Sequence, residues 1–375
     1  MLDVFSCHYI NDQEMLTCFS ERLLNLDESS YVAFDTEFTR NRTFYPTLEL
    51  LQFAVDEDVY FIDPHAENLN LKDFFKVFSN IKSTVLLFAA AEDLEILVHE
   101  GRGNPRYFPK KIVDLQSLYA FLNISYNIGL KNIVEKELGI TLLKEETHSD
   151  WSLRPLSESQ LRYAKEDVIY LLPLYQQIMH KFKPHDCRLL FYEEYMSNML
   201  FDLEKEIDPE HLYMFVKGAS SLNKKELKIL QYLCKWRYEF ARAHNIAPNW
   251  IITNGALCNL CKENRLTFKT LIRCGVKYPA AKTYGELAIR WHEQASLQPD
   301  TNLYSRDYFI NLKENEKSAQ KLKTLLLNRA HTLNIAKELL CNRLLMNDFF
   351  YCRYFHRTPI LETSWYQKAI GAINF

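Results

Sequence analysis

The sequence predicts an α/β domain built on a mixed sheet, followed by all-α domains. Three observations carry this reading. Strand-like runs crowd the chain before residue 90, helical periodicity takes over behind them, and the charge changes sign between the two parts. The opening segment reads strand, helix, strand. Asn11-Asp12-Gln13-Glu14 ahead of Met15-Leu16 has the form of a helix N-cap with an acid three residues on. Tyr31-Val32-Ala33-Phe34 is a buried strand, Leu48–Val55 a second and Val59–Asp63 a third. Asp56-Glu57-Asp58 is a polar turn, so these strands should run as an antiparallel meander. A short helix carries Phe74 to Phe78. Thr84–Phe88 is a further strand, and a helix follows from Ala91 to His99. Helices then dominate to residue 200.

No convincing strand follows residue 205. Lys224 to Asn245 is a long helix, with Leu227, Leu230, Leu233, Trp236 and Phe240 at three- and four-residue steps, and Pro248 breaks it. Shorter helices are expected over Ile251–Glu263, Thr267–Cys274 and Tyr284–Ala295, and Leu312–Leu345 and Trp365–Ala369 continue the helical character. The charged tract Asp202 to Pro209 suggests a linker. The expected division is 1–205, a linker at 206–220, a helical domain at 221–298 and another at 299–375.

A chain of 375 residues, 47% hydrophobic and 14% aromatic, can build several cores and is not disordered. No apolar run is long enough to span a membrane, and Met1–Phe5 lacks the basic and apolar regions of a signal peptide. A cytoplasmic protein acting as a monomer is the expectation. Nine scattered cysteines argue against a disulfide framework. Cys258 and Cys261 form one C-x-x-C, but only Cys274 follows nearby, too few ligands for structural zinc. With nine glycines and no Gly-rich phosphate loop, the chain gives no sign of a small-molecule cofactor. Residues 221–375 hold 24 Lys+Arg against 12 Asp+Glu, while residues 1–220 hold 21 against 36. The front is suited to holding cations and the back to holding a polyanion.

Phe34-Asp35-Thr36-Glu37-Phe38 is the most informative stretch. On a strand, residues two apart face the same way, so Asp35 and Glu37 project side by side from an apolar element. Carboxylates beside a core need a positive partner, and a hard divalent cation with oxygen ligands is the simplest. A strand end that merely frays into solvent is the plainer alternative. Asp93 stands at the start of the helix after Thr84–Phe88, where it could simply complement the helix dipole. Tyr163 and Asp167 lie four apart, on one helix face.

Taken together, Asp-x-Glu on a first strand, Asp after a later strand and Tyr-x3-Asp on a helix resemble the tyrosine-bearing branch of the DEDD exonuclease superfamily. The likeness extends to Arg42-Thr43-Phe44-Tyr45-Pro46 and Leu50-Leu51-Gln52, to Glu92-Asp93-Leu94-Glu95, and to Ser149–Ser157 with Gln160–Ala164 and Asp167–Pro173. Leu130-Lys131-Asn132 and Leu138-Gly139-Ile140 fit the intervening helix. These spaced motifs resemble ribonuclease D over residues 1–205. Leu233–Trp250 resembles the helical HRDC domain, and residues 300–375 resemble a second, divergent copy less closely.

The resemblance implies a ribonuclease H-like exonuclease domain acting on RNA, tRNA precursors among the substrates, from the 3′ end. It implies two divalent metal ions, Mg²⁺ or Mn²⁺. Asp35, Glu37 and Asp167 would hold one ion, with Asp35 bridging to the second and Asp93 acting through water. Tyr163 would orient the attacking water. Thr36, Phe38, Gln52 and Tyr45 are candidate substrate contacts, and Lys and Arg of the helical half candidate phosphate contacts. The chain departs from the family pattern at Phe88, where a histidine is common five residues before the aspartate. A DNA exonuclease and an inactive nucleic-acid-binding adaptor remain the alternatives.

Overall fold

The computed structural model describes residues 5–102, 107–124, 126–142, 146, 149–299 and 301–373. The signal-peptide reading, which rests on the first residues, falls largely outside them. The front part comprises β1 (Ser6–Ile10), α1 (Gln13–Asn25), β2 (Tyr31–Thr39), β3 (Thr47–Val55), β4 (Asp58–Ile62), α2 (Leu71–Phe78), β5 (Thr84–Leu87), α3 (Ala91–Glu100), β6 (Lys111–Asp114), α4 (Leu115–Ala120), α5 (Leu130–Leu138), α6 (Glu158–Ile169), α7 (Leu171–Met179) and α8 (Cys187–Glu204). The six strands form one mixed sheet, ordered β1-β4-β3-β2-β5-β6. β2, β3 and β4 run antiparallel as the expected meander, while β1, β5 and β6 join in parallel. β6 escaped the sequence reading because it has four residues and no sustained apolar run.

The pleat divides the sheet's chemistry. Phe34 on β2 opposes Phe53 on β3, and their rings lie 4.8 Å apart. Phe78 is 5.0 Å from Phe34, and Phe19 and Phe74 are 5.3 and 5.7 Å from Phe53. These rings form an aromatic core under α1 and α2. Full burial of one such side chain is worth about 1.5–3 kcal/mol. The next residue on each strand faces the other way, so Asp35 opposes Gln52 on the far side of the sheet, where α6 packs on β2 and β3.

Contact clustering divides the chain into two compact units. One contains Pro46–Lys205, Ala330–Leu339 and the segment ending at Thr39. The other contains Arg40–Tyr45, Glu206–Arg329 and the chain from Leu340 onward. Its helices are α9 (Lys224–His244), α10 (Pro248–Ile251), α11 (Asn254–Leu260), α12 (Phe268–Arg273), α13 (Tyr278–Ser296), α14 (Arg306–Ile310), α15 (Lys313–Leu333, whose last turn falls in the first unit), α16 (Arg343–Tyr354) and α17 (Ser364–Ile370).

Two expectations need correction and one is refined. Residues 206–220 are no free linker. Pro209–Phe215 and Ala219–Ser221 form 3₁₀ turns, and Tyr213, Met214, Val216 and Ala219 are buried against the helical unit. Their three-residue period left no amphipathic signature to read. The helical stretch Leu312–Leu345 resolves into α15 and the start of α16, separated by Asn334 in the left-handed region at φ 52° and a 3₁₀ turn at Lys337–Leu339. α13 begins at Tyr278 rather than Tyr284, because Pro279 sits in its first turn, where a missing N–H costs nothing. Cys258, Cys261 and Cys274 are buried free thiols that pack the helical core. Among the described residues no cysteine group converges as metal ligands.

Candidate active site

The site lies on the α6 side of the sheet, where β2 outruns its neighbour. β5 pairs with β2 only as far as Ala33↔Leu86. Beyond that point the backbone of β2 has no strand on its β5 side, and a buried N–H there needs another acceptor. Asp93, in the first turn of α3, supplies it. Its Oδ1 accepts the Thr36 backbone N–H at 3.0 Å and the Thr36 hydroxyl at 2.6 Å. Asp93 is 5% exposed, and its place near a helix N-terminus favours negative charge.

The turn delivering Asp93 is itself held. Ala89 adopts φ 58°, a strained conformation for a residue with a Cβ, and its N–H donates to Asp114 Oδ1 at 2.9 Å. Asp114 ends β6, caps α4 through the Gln116 N–H, and has its own N–H bonded to the Tyr192 hydroxyl at 2.8 Å. With Phe88 where the family commonly has histidine, the described support of this turn comes from Asp114. The sequence reading missed Asp114, although an aspartate two residues before a Ser-Leu-Tyr helical run carried the capping signal.

α6 brings the remaining groups. A reciprocal capping box between Ser157 and Gln160 fixes its start. Tyr163 and Asp167 follow one turn apart on one face, and the Tyr163 ring lies 6.1 Å from the buried Trp151 ring. Oxygens of Asp35, Glu37 and Asp167 all come within 4.8 Å of one another, and among the described residues no other acidic, histidine or cysteine group converges this way.

Like charges crowd this cluster. Burial, followed by the Asp167 charge, raises the Asp35 pKa well above the ordinary carboxylate range. Burial and the Asp35 charge do the same to Asp93. Glu37 is pushed up to about 10 by burial and then by Asp35, Asp167 and Asp93. Each charge acting on Glu37 is another carboxylate. Hard oxygen donors gathered this closely suit a hard divalent cation.

The candidate substrate contacts fare differently. Gln52 is 0% exposed and donates from Nε2 to Asp35 Oδ2 at 2.6 Å, so it orients a carboxylate. Thr36 is 5% exposed, and both its hydroxyl and its N–H are engaged by Asp93. Phe38 is half-buried, just past a bulge at Glu37/Phe38. Tyr45 belongs to the helical unit. Its N–H donates to Asn245 Oδ1 at 3.0 Å, and its hydroxyl accepts from Arg242 Nε at 3.3 Å.

The fold and the acidic constellation define a class. A family model described as 3′-5′ exonuclease matches residues 7–183, and one described as HRDC domain matches residues 226–290. Within that class, ribonuclease D of Shewanella sp. (strain ANA-3) is 30% identical over 355 residues, covering 94% of this chain and 88% of that protein. Ribonuclease D of Escherichia coli (strain K12) is 28% identical over 331 residues, covering 84% and 83%. The crystal structure of Escherichia coli RNase D, described as an exoribonuclease involved in structured RNA processing, superposes with a TM-score of 0.84 at 25% identity and covers 98% of this chain and 96% of that one. The chain belongs to the ribonuclease D family and is a 3′-5′ exoribonuclease with an HRDC region behind its catalytic domain. Enzymes of this family use divalent metals, and the acidic cluster is the group of residues that fits them.

Proposed function

We propose that Asp35, Glu37, Asp93 and Asp167 hold two divalent cations, Mg²⁺ or Mn²⁺, and that the enzyme trims the 3′ ends of structured RNA, tRNA precursors in particular, to nucleoside 5′-monophosphates. The observation carrying this reading is the convergence of Asp35, Glu37 and Asp167 oxygens within 4.8 Å with no cation among the charges acting on Glu37. When bound, such ions supply acidified water and neutralise charge on the reacting phosphate. The protein's own groups do the rest. Asp35 and Glu37 present their carboxylates from one strand face, and Gln52 fixes the rotamer of Asp35. Asp93 joins this face through Thr36. The Tyr163 hydroxyl orients the attacking water by a hydrogen bond. A tyrosine pKa of about 10 makes the phenol a poor base at neutral pH, so its part is orientation.

All these groups lie on one chain, and the enzyme acts as a monomer in the cytoplasm. Among the described residues no helix is long and apolar enough to cross a membrane. The relatives' name and the structured-RNA description of the Escherichia coli enzyme support the choice of substrate.

A 3′-extended tRNA precursor incubated with Mg²⁺ or Mn²⁺ should shorten stepwise to the mature end, and EDTA should stop it. A precursor left intact while unstructured RNA is degraded would overturn the tRNA assignment.

A further inference from the structure

An exposed aromatic platform lies on the helical unit, apart from the acidic site. Trp250, Phe268 and Tyr278 are 46%, 44% and 63% exposed. Single exposed apolar residues are ordinary, but two of these rings meet and the third is reached by the lysine next to one of them. The rings of Phe268 and Tyr278 meet edge-on at 5.7 Å, and Lys277, the residue before Tyr278, lies over the Trp250 ring at 5.6 Å. Gly275, at φ +95°, turns the chain between α12 and α13 and so sets Phe268 beside Tyr278.

The platform is interleaved with cations. Arg42 stacks on Trp250 with its guanidinium carbon 4.1 Å from the ring centroid. Its backbone is held in the left-handed region at φ 64°, its N–H donating to Arg40 O at 3.1 Å and its carbonyl accepting from Ala247 N at 2.8 Å. Such strain in a residue with a side chain persists only where the surroundings fix it, and here they aim the guanidinium at the ring. Residues 261–290 carry seven Lys+Arg against two Asp+Glu. Of those two acids, Glu263 is paired to Arg273 at 2.6 Å. Exposed Lys269, Lys277 and Lys282 enter no ion pair among the described residues.

Exposed ring faces with lysine and arginine between them match the chemistry of unpaired nucleic acid, in which bases stack and phosphates pair. We propose that Trp250, Phe268 and Tyr278, with Arg42, Lys269 and Lys277, bind unpaired nucleotides of the RNA substrate by stacking and phosphate contact. The proposal rests on RNA as the substrate and is independent of the tRNA assignment.

The test uses the full chain carrying Asp35→Asn, so that bound RNA survives. Fluorescence anisotropy measures its affinity for a labelled oligouridylate and for a blunt RNA duplex, with Trp250→Ala, Tyr278→Ala and Trp250→Phe added singly. Each alanine variant should weaken oligouridylate binding roughly 10-fold, while Trp250→Phe stays near the parent and duplex binding changes little. Thermal melts report folding. Tyr278→Ala keeps the test open if Trp250→Ala unfolds, because the described ring contact of Tyr278 is with Phe268 alone. Unchanged oligouridylate affinity overturns the proposal, as does an equal loss on duplex. A change in oligomeric state without a change in RNA affinity overturns it too, and marks the patch as a protein interface. Wild-type protein that degrades DNA and spares RNA would overturn the functional reading instead.

Discussion

The two units treat charge in opposite ways. The exonuclease unit gathers half-buried acids against one another, where burial and neighbouring carboxylates raise the pKa values of Asp35, Glu37 and Asp93. The helical unit displays its excess of lysine and arginine at the surface, beside exposed rings. A buried like-charged cluster destabilises a fold unless it binds something, so its presence points to a ligand at a fixed position. A solvated basic face costs little and is satisfied by any polyanion, so it points to affinity and leaves geometry open. The acidic site therefore specifies a reaction, and the basic face a class of partner.

Perturbing the two regions should give effects of different size and kind. The largest follow from the acids. Asp35→Asn or Asp167→Asn should reduce mononucleotide release to background in Mn²⁺, assayed on a 3′-tailed RNA. Measurable turnover above a tenth of wild type would break the assignment. Tyr163→Phe should lower kcat about 100-fold with KM nearly unchanged, because orienting water acts on the transition state. A rise in KM alone would move Tyr163 to substrate binding. Gln52→Leu should weaken Mn²⁺ affinity roughly 10-fold, since removing a partner that orients a metal ligand typically costs 10–100-fold. Calorimetric titration with Mn²⁺ reads this directly, and unchanged affinity would reduce Gln52 to packing.

The smallest expected effect concerns stability. The folded-state pKa of Glu37, about 10, lies above its ordinary 4.5, so the native state holds the extra proton between those values. Stability contributed by that proton is present at low pH and is lost as pH rises through the window. In EDTA, Glu37→Gln should melt above wild type, by a gap of a few degrees that widens from about pH 5 to about pH 8. Saturating Mn²⁺ should close the gap. A gap independent of pH would show that the carboxylate is not ionised at a cost.

The acidic site was legible in the sequence to the extent that it follows local periods. Asp35 and Glu37 share a face because a strand repeats every two residues, and Tyr163 and Asp167 because a helix repeats near four. The bond from Gln52 to Asp35 could not be read locally, because Gln52's partner is set by cross-strand register. A slip of one residue would have turned it to the other face, and no local pattern reports that register. The bond between Thr36 and Asp93 escaped for a related reason: it depends on where β5 stops. Asp114 sits at the end of a strand too short to detect. The packed 3₁₀ segments at 206–220 lack an amphipathic repeat, so they read as a charged linker. In the helical half, the long helix was plain from its leucines, but the platform joins Arg42 to Trp250 across two hundred residues of sequence, beyond the reach of any spacing rule.

The central claim is that the clustered carboxylates form one metal-holding catalytic centre. Its most direct test couples binding and turnover in one pair of proteins: calorimetric titration of wild type and Asp35→Asn with Mn²⁺, followed by release of nucleoside 5′-monophosphates from a 3′-tailed RNA with and without EDTA. Wild type should bind Mn²⁺ and release mononucleotides only when metal is present, and Asp35→Asn should lose both properties together. Release at the wild-type rate by Asp35→Asn, or by wild type in EDTA, would contradict the account.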